Sequence, residues 1–306
     1  MTTDDTREQA TILALTEVAP GPWYQVADVV EEAGSAVAVA DRSHDFYDEG
    51  QAVIARLLAD RVSEAMVNHW EKVIKRALAE RPSTRLLTVL DDDYPQNLRR
   101  VYDRPPFLFA RGTLQDDDSR SVAIVGTRRA SDAGRALARD IAAALAERGV
   151  TVISGMAAGI DTEAHTAALD SGGRTIAVMG TGIDRVYPKE NAELADRIAG
   201  NGALLSQFWP GAPPRGSNFP LRNVVTSGVA IGTVVIEASA TSGAKMQARL
   251  ALEHGKRLFL IQSLVLQEEW AQRYRSRRGA QVVHGVDDVV AALESDREPV
   301  TELQLF

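Results

Sequence analysis

From Ser121 onward the chain repeats one grammar: a short apolar run, a turn bearing glycine, then an amphipathic stretch. The apolar runs fall at 122–125, 150–154, 175–179, 203–206, 234–237, 258–261 and 281–283. Between them, 134–148, 162–169, 192–198, 244–253 and 286–293 repeat apolar positions at three- and four-residue spacing. Short apolar strands flanked by such helices are strands buried on both faces. Right-handed crossovers then predict an α/β fold, a Rossmann-like doubly wound, mostly parallel sheet.

The first part of the chain reads differently. Apolar positions in 11–16, 26–30, 53–58 and 66–78 follow helical spacing, and breaks at Pro20, Gly21, Pro22 and at Gly34, Ser35 separate them. This predicts a small N-terminal all-helical domain over 1–82, with Trp23 and Trp70 in its interior. The Rossmann-like domain then covers 83–294, entered by short strands at 86–90 and 107–112. Residues 295–306 read as a polar tail. Two acidic triplets, 91–93 and 116–118, read as solvated turns, because no second acidic cluster stands at ligand spacing.

Composition removes several classes of function. With no cysteine in 306 residues, disulfides, thiolate catalysis and cysteine-ligated metals are excluded. No apolar run approaches the ~20 residues that cross a bilayer, and residues 1–8 lack the pattern of a secretory signal. The expectation is a cytoplasmic protein with no membrane partner. The net charge of −8 is uneven: −9 before residue 120, +4 over 120–290 and −3 beyond. Local field decides anion binding, so the mildly basic middle is compatible with a polyanion.

Chemistry gathers where the predicted strands end. Gly126, Thr127, Arg128 and Arg129 follow the first strand of the alternating region, and Ser154, Gly155, Gly159 and Asp161 follow the second. Gly180 and Gly182 follow the third; Ser242, Gly243 and Lys245 open a later helix. In an open α/β sheet these turns share the carboxyl edge, where ligands bind. Glycine lets backbone N–H groups approach a phosphate, and helix N-termini attract it. Arg222 and Asn223 come just after Asn218, read as an N-cap, and Pro220, read as an early helical residue. Cations at helix N-termini oppose the macrodipole by roughly 0.3–1 kcal/mol each. Several of them on one sheet edge call for an external anion.

Other chemistries fit badly. The first strand is not followed by Gly-x-Gly-x-x-Gly, and the chain has neither a P-loop nor a His-Glu-x-x-His motif. Neither a cofactor nor a metal is expected. His165 reads as a packed histidine with a local hydrogen bond. Asp161 and Asp184 suit helix capping and ribose contacts equally. Glu237 ends a strand at the functional edge and suits a base, but has no assignable partner.

These residues carry a resemblance. Gly126, Thr127, Arg128 and Ser131, Ser154 and Gly155, and Gly159, Ile160 and Asp161 with Ala164 and His165 resemble the DNA-processing protein A family (DprA, also called Smf). So do 172–178, Gly182, Asp184, Tyr187, Pro188, Asn191, Asn218, Phe219, Pro220, Arg222, Asn223, Ser227, Gly228, Glu237, Ala238, Ser242 and Gly243. Upstream, Tyr94, Pro95, Leu98, Pro105, Pro106 and Gly112 resemble the family's entry segment. The resemblance implies an extended Rossmann domain that binds single-stranded DNA, protects it during transformation and helps load the RecA recombinase. It further implies a homodimer and no catalytic step. Arg128 and Arg222 match the family's motif arginines, and Gly126, Ser154, Gly155, Asn223, Ser242 and Gly243 match its phosphate-facing turns. Phe219, Trp209 and Trp270 are the candidates for base stacking, with core packing as the competing role of each.

The chain also departs from the family. Ala158 and Val224 stand where the family has arginine, and Thr241 where it has lysine. Gln262 and Ser263 replace a Pro-Gly, and a Glu- and Arg-rich helix over 266–278 replaces a loop with glycine and asparagine. Fewer phosphate contacts predict weaker, less salt-sensitive DNA binding. Two alternatives therefore stay open: a sensor of a nucleotide or nucleotide-derived ligand, and a hydrolase of a nucleotide's glycosidic bond.

Overall fold

The computed structural model describes residues 3–294; the expected tail lies outside them. Five helices come first: α1 (Thr3–Val18), α2 (Tyr24–Ala33), α3 (Ala36–Ala40), α4 (Glu49–Ala59) and α5 (Glu64–Glu80). Ser35, Asp48 and Ser63 each accept a hydrogen bond from a first-turn backbone N–H of α3, α4 and α5, which satisfies donors the helix leaves unpaired. Next come β1 (Thr84–Thr88), α6 (Gln96–Arg99) and β2 (Phe107–Gly112). The alternating part is β3 (Ser121–Val125), α7 (Asp132–Glu147), β4 (Thr151–Ser154), α8 (Ile160–Asp170), β5 (Thr175–Val178), α9 (Ala192–Asn201) and β6 (Ala203–Ser206). It continues with α10 (Asn218–Val229), β7 (Gly232–Val235), α11 (Gly243–Glu253), β8 (Arg257–Ile261), α12 (Gln262–Gln267), α13 (Glu269–Tyr274), β9 (Ala280–Val283) and α14 (Val286–Glu294).

The strands form one sheet in the order β1-β2-β6-β5-β4-β3-β7-β8-β9. All pairings from β6 to β9 are parallel, while β1–β2 and β2–β6 are antiparallel. This is the expected doubly wound sheet with an antiparallel edge. The chain leaves β3 on one side for β4, β5 and β6, then returns to its other side for β7, β8 and β9. Strand order therefore reverses between β3 and β7, and the connections after these strands diverge to leave a crevice.

Alternation along the strands divides the core. Val122 and Ile124 face one apolar cluster with α7, α8 and α11. Ala123 faces the other, which continues through Phe107 and Leu108 into the N-terminal helices at Leu13, Val26 and Trp70. The expected interior residues Trp23 and Trp70 do not pack only among helices. Trp209 lies 4.6 Å from Trp70, 4.9 Å from Phe107 and 5.5 Å from Trp23 between ring centroids. Each such pair contributes about 0.5–1.5 kcal/mol beyond buried area. Arg104 adds ion pairs to Asp28 and Glu31 of α2.

Three expectations need correction. The helix expected over 266–278 is two short helices, α12 and α13, because Glu268 is extended (φ −119°, ψ 115°). Asn218 is no N-cap: its side chain donates to Gly180 O at 3.0 Å instead, and Ser217, the capping position, makes no side-chain cap. The triplet at 116–118 is not wholly solvated. Asp118 is buried, 2.8 Å from Arg174 and accepting from Thr151 Oγ1 at 2.8 Å.

His165 is a packed histidine, as read. Its ring is fully buried, with Nδ1 2.6 Å from Thr175 Oγ1 and, among the described residues, no partner for Nε2. Burial, with the nearby Arg222 charge, lowers its pKa to about 3. Below about pH 6.5 the unfolded chain takes up a proton here that the folded chain refuses. Stability therefore falls with pH from about 6.5 towards 3, by roughly 1.4 kcal/mol per unit from this residue. Urea unfolding of His165→Asn between pH 7 and pH 4.5 should show a pH slope shallower than the parent's by that amount. Equal slopes would remove the argument.

Candidate functional site

The crevice between the connections after β3 and β7 opens into a cleft of about 310 Å³ at the carboxyl edge of the sheet. Its walls come from Gly126, Thr127 and Arg128 after β3, Gly155, Ala157 and Asp161 after β4, and Ser242, Gly243 and Ala244 at the start of α11. The fourth wall is α10, through Phe219, Arg222, Asn223 and Thr226. Thr127 N donates to Glu237 O at 2.7 Å, which locks the two diverging turns together.

Arg222 is the centre of this arrangement. The residue is only 8% exposed. Nη1 donates to the carbonyls of Gly155 and, at 2.8 Å, Val178; Nε donates to Asn223 Oδ1 at 3.1 Å. Among the described residues Nη2 has no acceptor. Gly155 exists here because of close approach: a Cβ at this position would fall inside the guanidinium. Gly159, with φ +84°, caps α8 where a side chain would strike the Thr127 carbonyl.

The electrostatics are lopsided. Asp161 is buried beside Arg222 and accepts from Ala157 N at 3.2 Å. Burial raises its pKa, and the Arg222 charge opposes that rise. Burial lowers the pKa of Arg222; Asp161 works against this and Arg128 adds to it. A guanidinium stays protonated regardless. Arg128 is exposed at the lip, with its guanidinium carbon 5.2 Å from the Phe219 ring centroid. Two cations thus meet one carboxylate, and the cleft retains a positive charge.

Of the expected site residues, Gly126, Thr127, Arg128, Gly155, Asp161, Arg222, Asn223, Ser242 and Gly243 line this one cleft. Gly159 does not line it but packs against the Thr127 and Arg128 carbonyls. Ser154 does not line it; its buried hydroxyl donates to Ile124 O at 2.6 Å and ties β4 to β3. Gly180 packs under the Phe219 ring, and Gly182 under the backbone at Trp209. Lys245 is not among the lining residues, although it follows Ala244 directly. Arg129 turns to a neighbouring hollow with Ser131, Glu237, Ser263 and Gln267.

Glu237 is not a free base. Ser131 donates to it from both N, at 3.0 Å, and Oγ. This carboxylate already fills the N-terminus of α7, so the external anion expected there has no place. Asp184 is likewise occupied, accepting from Gly211 N at 2.7 Å. Of the stacking candidates, Trp270 is core and Trp209 sits in the aromatic cluster; Phe219 alone lines the cleft. Ala157, Thr226, Ser239 and Gln247 also line it and were not expected. Only Gln247 carried a signal, as a polar residue on the apolar face of α11.

The comparisons fall on the same region. The family model for DNA recombination-mediator protein A matches residues 85–294. The Smf protein of Synechocystis sp. is 38% identical over 219 residues, which are 70% of this chain and 55% of the relative. The chain therefore spans about half the length of that protein. The X-ray structure of DNA processing protein A from Streptococcus pneumoniae has a TM-score of 0.72 at 31% identity, covering 92% of this chain and 97% of that one. The Helicobacter pylori protein, described for its single-stranded DNA binding mode, has a TM-score of 0.62 at 26% identity, covering 70% and 96%. A matched segment that runs from β1 to α14 and holds every wall of the cleft places this chain in the DNA recombination-mediator protein A family.

Proposed function

We propose that the cleft binds the phosphate backbone of single-stranded DNA, and that the chain serves DNA processing, uptake and recombination without a catalytic step. One observation carries this: Arg128 and Arg222 converge on a glycine-lined crevice in which Asp161 is the single opposing carboxylate among the described lining residues. A phosphate between them would meet Nη2 of Arg222, the Arg128 guanidinium and the start of α11. Phe219, beneath Arg128, offers a face to a base. The single-stranded DNA binding of the Helicobacter pylori relative supports the reading. Transfer of the strand to the RecA recombinase and a homodimeric working form belong to it and rest on the family alone.

A nucleotide sensor draws on the same geometry, since about 310 Å³ and two guanidiniums suit a single phosphate-bearing unit. Ala158 and Thr241, both exposed and uncharged, supply no further cation for an extended strand. A thermal-shift series decides between the two. DNA binding requires a rise with oligo-dT that a nucleoside monophosphate does not match; the sensor requires the reverse.

Two variants test the contacts. Arg128→Ala should weaken oligo-dT binding roughly tenfold or more, and reduce the slope of log K against log salt by about 0.7, as for one lost phosphate contact. Fluorescence anisotropy checks both, and a flat titration of the parent protein at low salt would end the proposal. Gly155→Ala removes no charge but displaces the Arg222 guanidinium, so it too should lose affinity by tenfold or more. Parental affinity in a folded Gly155→Ala protein would separate Arg222 from the binding site.

A further inference from the structure

The arginines of the segment that departs from the family play no part in the cleft. Between Trp270 and Val283 stand Arg273, Arg275, Arg277 and Arg278, without a single carboxylate. All four are exposed, and none has an ion-pair partner among the described residues. They occupy the end of α13 and the turn into β9, at the amino edge of the sheet, while the cleft is at the carboxyl edge.

The turn is well tied. Arg277 N donates to Tyr274 O at 2.9 Å and Ala280 N to Arg277 O at 3.0 Å. Ser276 Oγ donates to Arg273 O at 3.2 Å. Beneath the arginines runs an aromatic ladder. Buried Trp270 packs edge-on against Tyr274 at 5.4 Å, and the Arg277 guanidinium carbon lies 4.5 Å from the Tyr274 ring centroid. Like charges concentrated on one turn repel one another, and among the described residues no carboxylate pairs with them. Their backbone is fixed in advance, so an anion has only the side chains left to order.

We propose that this arginine turn is a second nucleic-acid contact, which holds a phosphodiester backbone independently of sequence and apart from the cleft. Guanidinium forks match phosphate oxygens, and the half-buried Tyr274 with Arg277 above it suits a neighbouring base. Single-stranded and duplex DNA share this chemistry, and the assay separates them. The inference stands on its own residues and does not need the cleft to bind DNA.

The test is an anisotropy titration of the full chain against labelled oligo-dT and a duplex of equal length, over a range of salt. R275A/R277A/R278A, whose side chains are all exposed, should lower the salt slope by about 2 on single strands or about 2.7 on duplex. Binding at low salt should weaken at least tenfold, while R275K/R277K/R278K keeps the slope. Unchanged slope and affinity on both ligands would overturn the proposal. So would displacement by polyglutamate as effective as by unlabelled DNA, which would assign the turn to an acidic polypeptide. Arg128→Ala in parallel keeps the two sites distinct: loss there alone leaves the cleft and removes the turn, and loss in the arginine-turn variant alone does the opposite.

Discussion

A guanidinium buried at the head of a parallel sheet is expensive unless its donors and its charge are answered. In this chain Arg222 is answered by two main-chain carbonyls, the Asn223 side chain and the charge of Asp161, and the neighbouring structure follows from that need. Gly155 has no side chain because the guanidinium occupies its space. α10 enters with Asn218 tied to Gly180 O, which aims the following turn at the sheet edge. The result is a cation that cannot swing into solvent and presents its remaining donor to one place.

The topology decides where that place is. Reversal of strand order at β3 separates the connections after β3 and β7, and the cleft occupies the gap. Helix N-termini surround it unequally. The start of α7 is occupied by Glu237, drawn in by Ser131, whereas the start of α11 borders the cleft with Ser242 and Gly243. The proposed anion site therefore lies away from the first helix of the sheet and beside α10 and α11. Phosphate-binding α/β folds often use that first helix, so the internal carboxylate redirects a common scheme.

The helical N-terminal part bears on this edge through packing. Trp209 precedes α10 and is pinned by Trp23, just before α2, Trp70 of α5 and Phe107 of β2. The loop that delivers α10 to the cleft therefore rests on a core shared by both parts of the chain. The charge distribution agrees with this division. The acidic first part supplies packing and ion pairs such as Arg104 with Glu31, and the cleft and the arginine turn both lie in the basic middle.

The sheet class was legible without coordinates, because period and length are local properties: a run such as 122–125, apolar on both faces, has few ways to be buried. Most of the cleft was legible for the same reason, since glycine turns after parallel strands must share one edge. Direction and pairing of side chains were not. Lys245 and Arg128 look alike as cations beside helix starts, yet one lines the cleft and the other does not. Glu237 reads as a free carboxylate until Ser131, 106 residues away, is found bonded to it. Asp118 reads as a surface turn until Arg174 and Thr151 close over it. Sequence alone determined which backbone elements form and which edge gathers the turns; the tertiary structure alone decided which charges are spent internally, because pairing depends on distances between residues remote in the chain.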